Sequence, residues 1–399
     1  MKFSLRLQWD AAANPLSRMV DEKRRTGVRV LDLTESNPTR AGFEYPREIV
    51  EAFADERALR YDPSPRGLLS AREAVAEYYA ARGRRVSPEQ ILLTASTSEA
   101  YSYLFKLLAD PGDEILAPRP SYPLFEFLAG LEAVHVRQYP LRYDGAWHVD
   151  FGSLELSPRT RAIVVVNPNN PTGSFLKAEE WSRLAALGLP ILCDEVFSDY
   201  AFPAETPAPV IAGGALMTGS ASAGRDAGDF SRVLLPAFQA PAFFMSGLSK
   251  IAGLPQMKLG WIAACGPGSE AALERLELIA DTYLSVATPV QVALPKLLGS
   301  AVVREQIRER TRANLSFLRK VSRASAVQAL NVEGGWYAVL QAPRTRSEEE
   351  WSLHLLGERD VLVQPGFFFD FETEAFLVLS LLTPREIFEE GVRRILEAC

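Results

Sequence analysis

Short apolar runs alternate with segments of helical period between about residue 70 and residue 280. Apolar runs of this length are typical of buried strands, and the segments between them place apolar side chains on one face of a helix. The predicted strands cover 91–94, 114–116, 133–137, 162–166, 190–196 and 242–245, and the predicted helices cover 70–82, 122–131, 269–283 and a segment from Ser98. This alternation predicts an α/β fold with three layers, α/β/α, around a mostly parallel sheet.

The same pattern suggests two domains. We expect residues 46–285 to form a large domain around the sheet, and residues 1–45 with 286–399 to form a smaller, discontinuous α+β domain that includes a strand at 336–340. The stretch 203–241 is rich in Pro, Ala and Gly, which predicts an extended surface loop. Because it lies between Asp194 and Lys250, a lid over a site is the alternative.

Polar residues follow several of the predicted strands. Lys250 comes after the strand 242–245 and a glycine turn, Asp194 ends an apolar run, and Asn170 lies in a turn with two X-Pro steps. Open α/β sheets bind ligands at the carboxyl ends of their strands, where a lysine in an apolar pocket can lose its proton and attack a carbonyl carbon. Each residue also has an ordinary interpretation: a surface lysine, a helix N-cap aspartate and a common Asn-Pro turn.

A fourth strand end carries small hydroxyl residues. Ser96, Thr97 and Ser98 follow the strand 91–94 and precede a helix. Hydroxyls and free backbone N–H groups at the positive end of a helix form an anion site, although Ser-Thr-Ser is also a plain capping sequence.

Taken together, these residues resemble the class I/II aminotransferases, which are fold type I pyridoxal phosphate enzymes. The resemblance covers nearly the whole chain. The matching features are, in order, Tyr61 with Gly67, the Ser96-Thr97-Ser98 turn, Tyr122, the Asn-Pro-Asn-Asn-Pro-Thr-Gly run at 167–173, Asp194, Ser249-Lys250, and Lys258 eight positions further on.

The resemblance implies a role for each matching residue, with pyridoxal 5'-phosphate as cofactor and residues 46–285 as the domain that binds it. Lys250 is expected to bind the cofactor as an imine and to shuttle the substrate's α-proton, and Asp194 to keep the pyridine nitrogen protonated. The remaining implied contacts are Asn170 with the ring's phenolic oxygen, Tyr122 with the ring face, and Ser96, Thr97, Ser98, Ser249 and Lys258 with the phosphate. Tyr61 is expected to reach the phosphate of a neighbouring subunit, which implies a homodimer with shared active sites.

Three positions depart from the family pattern. Lys258 stands in place of an arginine, so it keeps the charge and loses the bidentate fork. Phe197, expected beside the cofactor ring, stands in place of a tyrosine. Val378 occupies the position of the arginine that would hold the substrate carboxylate, so another cation is needed. The candidates for substrate binding are Ser36 and Arg40, which lie in one N-terminal segment, and Arg66.

The composition argues against several kinds of partner and location. A formal net charge of -7 argues against nucleic acid and anionic membranes as partners, and the three histidines lack the spacing of metal ligands. The three separated cysteines favour a reducing compartment, and no apolar stretch suits a signal peptide or a membrane span, so we expect a cytoplasmic protein.

We therefore expect a pyridoxal phosphate-dependent aminotransferase that moves an amino group between an amino acid and a 2-oxo acid. A β-lyase or a decarboxylase on the same fold is the alternative, because one electron sink serves all these reactions. A regulator that binds the cofactor without turnover is a third interpretation, although the chain lacks a basic DNA-binding region.

Overall fold

The structure is a computed structural model that describes residues 2–7, 9, 14–203 and 236–399. The predicted loop or lid at 203–241 falls mostly on residues 204–235, which lie outside the described residues. The strands in the described part are β1 (Leu31–Asp32), β2 (Ile91–Thr94), β3 (Glu114–Arg119), β4 (His135–Tyr143), β5 (Trp147–Val149), β6 (Thr160–Val166), β7 (Ile191–Asp194), β8 (Ala242–Gly247), β9 (Gly260–Cys265), β10 (Gln328–Ala329), β11 (Tyr337–Gln341), β12 (Val361–Leu362), β13 (Gln364–Pro365) and β14 (Phe376–Ser380).

The helices cover both faces of the sheet and build most of the C-terminal part. Within the described ranges they are α1 (Pro15–Arg25), α2 (Glu48–Glu51), α3 (Leu69–Ala80), α4 (Thr97–Leu108), α5 (Leu124–Leu131), α6 (Ala178–Ala185), α7 (Leu248–Ile251), α8 (Ser269–Tyr283), α9 (Thr288–Gly299), α10 (Val302–Ser322), α11 (Glu348–Arg359) and α12 (Arg385–Ala398).

The central sheet has the order β2-β9-β8-β7-β6-β3-β4-β5 among the described strands. Pairs β7–β8, β6–β7, β3–β6 and β3–β4 are parallel, whereas β9 runs antiparallel to both of its neighbours and β5 runs antiparallel to β4. Strands β2, β3, β6, β7 and β8 therefore point the same way, and their carboxyl ends meet at one edge. This confirms the prediction of a mostly parallel sheet.

Apolar side chains cover both faces of this sheet because successive residues of a strand point to opposite sides. Ile163 and Val165 of β6 pack in one cluster, and Ala162, Val164 and Val166 pack in another. A third cluster fills the C-terminal part, where β10-β11-β14-β13 form a smaller antiparallel sheet. The sheet is thus buried on both faces, as an α/β/α sandwich requires.

The N-terminal segment pairs with the C-terminal part of the chain. Strand β1 runs parallel to β12, with Leu31 opposite Val361. This pairing supports a discontinuous small domain, but the boundaries at 46 and 285 stay a prediction.

Several predicted element boundaries differ from those of the structure, and three of them do so for a local reason. The strand predicted at 133–137 begins at His135, because Ala133 has φ +60°, outside the strand region, and it continues to Tyr143 by pairing with β3 and β5. The strand predicted at 190–196 ends at Asp194, whose carboxylate accepts a hydrogen bond from Val196 N at 3.1 Å and so turns the chain. The helix predicted at 122–131 begins at Leu124, because a residue before proline avoids helical geometry.

Candidate active site

Lys250 lies at the carboxyl edge of the sheet, on the short helix α7 that follows β8. Its Nζ is 4.9 Å from the ring centroid of Trp336 and 5.7 Å from that of Phe197, and its carbonyl accepts a 2.6 Å hydrogen bond from the Tyr200 hydroxyl. Burial lowers the pKa of the Lys250 amine to about 8, and the nearby Asp194 carboxylate offsets part of that change. With that pKa about a tenth of the amine is neutral, and nucleophilic, at pH 7, far more than for a lysine of ordinary pKa.

Asp194 ends the neighbouring strand β7 and is buried. Its carboxylate accepts hydrogen bonds from Val196 N at 3.1 Å and from the Tyr101 hydroxyl at 3.2 Å. Burial raises the pKa of Asp194 to about 6, against the opposing effects of these two bonds and of the Lys250 charge. A buried carboxylate with so few donors is a strong site for a cation.

Asn170 lies in the turn after β6, and its neighbour Asn169 fixes that turn. The Asn169 amide donates to the Pro120 carbonyl and to the Thr172 hydroxyl, and its Oδ1 accepts from the Ser121 hydroxyl at 3.0 Å. The Asn170 Oδ1 is buried and has no hydrogen-bond partner among the described residues. The Asn170 side-chain amide is thus available to a ligand. Asn169 stabilises the turn through its hydrogen bonds, a role that the sequence pattern did not reveal.

The candidate phosphate residues come together at the end of the sheet formed by β2, β9 and β8. Gly260 of β9 is paired with Thr94 on one side and Gly247 on the other, so the segments carrying Ser96, Ser249 and Lys258 converge. A Cβ on Gly260 would lie 3.2 Å from the Ser96 carbonyl carbon and 3.0 Å from the Ser246 carbonyl oxygen. The close approach of these backbones requires a glycine there.

The helix α4 begins at this place. Ser96 is its N-cap and accepts from Glu99 N at 3.2 Å, and Thr97 and Ser98 form its first turn, where backbone N–H groups have no partner within the helix. The three hydroxyl residues therefore both cap the helix and lie at its positive end, so the two interpretations of this sequence are compatible.

Phe197 and Tyr122 lie beside the amine and the carboxylate. The Phe197 ring is buried 5.3 Å from that of Trp336 and 6.2 Å from that of Tyr337. Burial and the charge of Asp194 raise the pKa of the Tyr122 hydroxyl, which places this partly exposed residue near the carboxylate. The contacts of Phe197 and Tyr122 with a cofactor ring stay a prediction.

Val378 occupies the middle of β14 and is fully buried. It is paired with Val339 on β11 and with Gln364 on β13, so these three side chains point to the same face of the small sheet. The Gln364 Oε1 is buried without a hydrogen-bond partner among the described residues. The position in which the family pattern has an arginine therefore has apolar and amide neighbours.

The two arginine candidates differ in their surroundings. The Arg66 guanidinium is 2.6 Å from Glu277 and donates to the Glu89 carbonyl at 3.1 Å. The Arg40 side chain is 74% exposed, and its Nε is 4.0 Å from Glu35. Ser36 lies beside the Tyr337 hydroxyl, whose pKa burial raises to about 12. The geometry favours Arg40 over Arg66 as an anion-binding group, because Arg66 already has two close partners.

Sequence reasoning missed Trp336, Tyr337 and Tyr101 as parts of this site. Tyr101 lies one turn along α4 from the hydroxyl cluster, so helical spacing from Thr97 was an available signal. Trp336 and Tyr337 follow two glycines at the start of a strand, and nothing in that local sequence points to Lys250.

The described residues contain no group of acidic, histidine or cysteine side chains suited to a metal ion. They also contain no helix that combines the length and apolar character needed to cross a membrane.

The site fits pyridoxal 5'-phosphate. A lysine amine whose pKa is lowered by burial, a buried carboxylate in need of a cation, the Asn170 side-chain amide with its NH2 donors, and a backbone cradle beside a helix N-terminus match the aldehyde, ring nitrogen, ring oxygen and phosphate of that molecule. Fold and site together define a fold type I pyridoxal phosphate enzyme.

The comparison with known proteins gives the family. Residues 28–395 match the family described as aminotransferase class I and II, and the chain belongs to it. Nicotianamine aminotransferase 1 of Oryza sativa subsp. japonica is 31% identical over 71% of this chain and 55% of its own length. Glutamate-pyruvate aminotransferase AlaA of Escherichia coli is 28% identical over 71% of the chain and 67% of its length. The S-alkyl-thiohydroximate lyase SUR1 of Arabidopsis thaliana is 28% identical over 68% of the chain and 57% of its own length.

The alignments thus span about half to two thirds of the length of these curated relatives. Among solved structures, alanine aminotransferase from Pyrococcus furiosus has a TM-score of 0.83 at 24% identity and covers 100% of this chain and 99% of its own, which is a likeness of fold. The predictions of family, of fold class and of pyridoxal phosphate as cofactor are confirmed.

Proposed function

We propose that the protein is an aminotransferase that moves an amino group between an amino acid and a 2-oxo acid. The observation that carries this proposal is the pair formed by the Lys250 amine, with a pKa of about 8, and the Asp194 carboxylate, with a pKa of about 6, at one edge of the sheet. When bound, pyridoxal phosphate supplies a reactive aldehyde carbon and a conjugated ring that can accept an electron pair.

The residues of the chain would divide the remaining work. The incoming amino group would release the Lys250 amine. That amine would then take the proton from the substrate's α-carbon and deliver it to the cofactor carbon that came from the aldehyde. A pKa near the working pH is favourable for both proton transfers. Asp194 stabilises positive charge on the ring nitrogen, and its burial strengthens that interaction. Asn170 binds the ring oxygen. Ser96, Thr97, Ser98, Ser249 and Lys258 bind the phosphate, and Tyr122 and Phe197 contact the ring.

The covalent assignment can be tested directly. The purified protein should show visible absorbance, and borohydride reduction followed by peptide mapping should place the cofactor on Lys250. Lys250→Ala should lose the covalent bond, while the control Lys258→Ala should retain it and bind the cofactor more weakly. A reduced adduct on Lys258 would overturn the assignment.

The reaction type needs a separate experiment. Each of the common amino acids should be mixed with the protein in the absence of an oxo acid, and the visible absorbance followed through one half-reaction. An aminotransferase forms one equivalent of 2-oxo acid per site and stops. Continued release of ammonia and pyruvate, or of carbon dioxide, would instead favour the lyase or decarboxylase alternative.

Asp194 can be tested by a conservative substitution. Asp194→Asn keeps the size and removes the charge, so it should slow the half-reaction by orders of magnitude and change cofactor affinity much less. Unchanged half-reaction rates in this variant would assign Asp194 to a structural role.

We also propose a homodimer in which Tyr61 serves the partner's site. Tyr61 is 78% exposed, and Leu59, two residues before it, is 87% exposed. Exposed apolar residues in one segment favour an interface. Mixing Tyr61→Ala and Lys250→Ala subunits tests this: if sites are shared, each mixed dimer contains one intact site and activity returns. No recovery in mixed dimers would place Tyr61 in its own subunit's site. The cytoplasmic location stays a prediction.

A further inference from the structure

Trp336 is a fully buried residue at the start of β11 that none of the assigned roles includes. Its ring contacts those of Phe197 and Tyr200 edge to face, with centroids 5.3 and 5.2 Å apart. The Lys250 Nζ lies over the Trp336 ring at 4.9 Å and over the Phe197 ring at 5.7 Å. Both distances are within the range in which an aromatic face attracts a cation.

Packing alone does not explain a tryptophan at this position. The indole N–H is buried and has no hydrogen-bond partner among the described residues. A buried donor without a partner is destabilising, and a phenylalanine would fill most of the same space without that penalty. Tryptophan does, however, bind a cation more strongly than phenylalanine. The Lys250 nitrogen is a cation that this ring contacts.

Two segments of the chain hold Lys250 from different sides. The Tyr200 hydroxyl donates to the Lys250 carbonyl and fixes the backbone. The Trp336 carbonyl accepts from Leu381 N at 2.7 Å, so the indole is anchored to the small antiparallel sheet. The nitrogen end of the lysine thus lies against a residue of the C-terminal part, and its backbone is held by Tyr200 of the segment after β7.

Among the residues that the structure describes, one carboxylate acts on the charge of the Lys250 amine. Asp194 on β7 is the carboxylate that acts on the amine, and the hydroxyl of Tyr200 lies at the carbonyl rather than at Nζ. Phe197 and Trp336 carry no charge and do not titrate. An effect of Trp336 on Lys250 would therefore come from its ring face, and Asp194 would be unchanged by a substitution at Trp336.

We propose that Trp336 is a positioning residue for Lys250, and that its ring holds the lysine nitrogen in place whenever that nitrogen carries a positive charge. The inference rests on the proposed function in one respect: Lys250 must be the lysine that binds the cofactor. With the cofactor attached, Trp336 stabilises the protonated form of the linking nitrogen. After the substrate has released the lysine, Trp336 holds its ammonium form beside the reacting carbon.

The test is a pH titration of the visible absorbance of the cofactor-loaded protein, which reports protonation of the nitrogen on Lys250. Trp336→Leu removes the ring and should lower the midpoint by about one pH unit, the size expected for a cation–π contact in a dry site. Trp336→Phe keeps a weaker ring and should lower the midpoint by less than half as much. The second variant keeps the inference falsifiable if the first does not fold.

Trp181 provides a matched control. It is buried, its indole N–H also has no hydrogen-bond partner among the described residues, and it packs near Phe238 and Phe244 rather than against Lys250. Trp181→Leu should lower thermal stability as Trp336→Leu does, but it should leave the titration midpoint unchanged.

The outcomes separate this inference from the function itself. A midpoint that stays constant in the folded Trp336 variants, with the cofactor still mapped to Lys250, would overturn the role of Trp336 and leave the proposed function standing. An equal fall of the titration midpoint in Trp181→Leu would also overturn the role of Trp336. Cofactor mapped to a different lysine would overturn both.

Discussion

A buried ion cluster around Asp199 should be critical for the stability of the fold. The Asp199 carboxylate is fully buried and lies five residues after Asp194. The Arg82 guanidinium contacts both of its oxygens, at 2.8 and 2.9 Å, and Arg304 of α10 lies at 3.5 Å. The Tyr78 hydroxyl of α3 donates to it at 3.1 Å. The cluster thus joins α3, the segment after β7, and α10.

The substitution Asp199→Asn keeps the shape of this side chain and removes its charge. It removes the carboxylate charge that faces the Arg82 and Arg304 guanidinium groups, whose side chains are only 14% and 11% exposed. Removing one partner of a buried pair costs about 3–5 kcal/mol. With an unfolding entropy of about 2.1 cal/mol/K per residue over 399 residues, this corresponds to a fall in Tm of about 4–6 °C if the chain unfolds as one unit.

The measurement is thermal unfolding followed by circular dichroism, at one protein concentration and with saturating cofactor. Glu51→Gln is the matched control, because it breaks the exposed Arg47–Glu51 pair and should change Tm by less than about 1 °C. A Tm for Asp199→Asn within 1 °C of wild type would show that water or a rearranged side chain compensates the arginines, and the reasoning from burial would then be wrong.

Three further predictions concern the site and its rim. Phe197→Tyr should lower the pH midpoint of the visible absorbance, because a hydroxyl there would stabilise the ring oxygen as an anion; no shift would mean that Phe197 is not beside that oxygen. Arg40→Ala should raise KM for amino acids strongly and leave the absorbance spectrum intact, whereas Arg66→Ala should chiefly lower stability; equal KM values in all three proteins would place the carboxylate anchor elsewhere. Burial raises the pKa of Glu348 to about 7 from the 4.5 of an unfolded chain, so its contribution to stability is present below about pH 4.5 and is lost as the pH rises through 7. Glu348→Gln should therefore show a smaller fall in Tm between pH 5 and pH 8 than wild type, and parallel Tm curves would contradict that pKa.

Three of the residues that sequence reasoning identified share one property: each lies at or just after the end of a strand, within a short, recognisable run. Lys250, Asp194 and Asn170 lie within a few residues of the ends of β8, β7 and β6. Because parallel strands end at the same edge, the order of elements is enough to bring these residues together. The convergence of these three residues therefore follows from local patterns and a topology rule, whereas their cofactor roles are what the family resemblance implies.

The features that could not be predicted depend on contacts between distant parts of the chain. The Tyr101 hydroxyl reaches Asp194 across 93 residues of sequence, and Arg66 pairs with Glu277 across 211. Neither partner is marked by its own neighbours in sequence, since a tyrosine on an amphipathic helix and an arginine in a turn are both ordinary. The ion pair gives Arg66 a close carboxylate partner, which favours Arg40 over Arg66 as the substrate-binding candidate.

Val378 is the case in which sequence and structure must be combined. The resemblance to aminotransferases identifies the missing arginine, but it does not say what surrounds the position. The structure places Val339 and Gln364 on either side of Val378, and Gln364 contributes a buried oxygen rather than a cation. A carboxylate drawn into these surroundings would lose its hydration without gaining a counter-charge, which is strongly unfavourable. A carboxylate-bearing substrate would therefore keep that group away from Val378, and Arg40, whose side chain is 74% exposed, stays the predicted anchor.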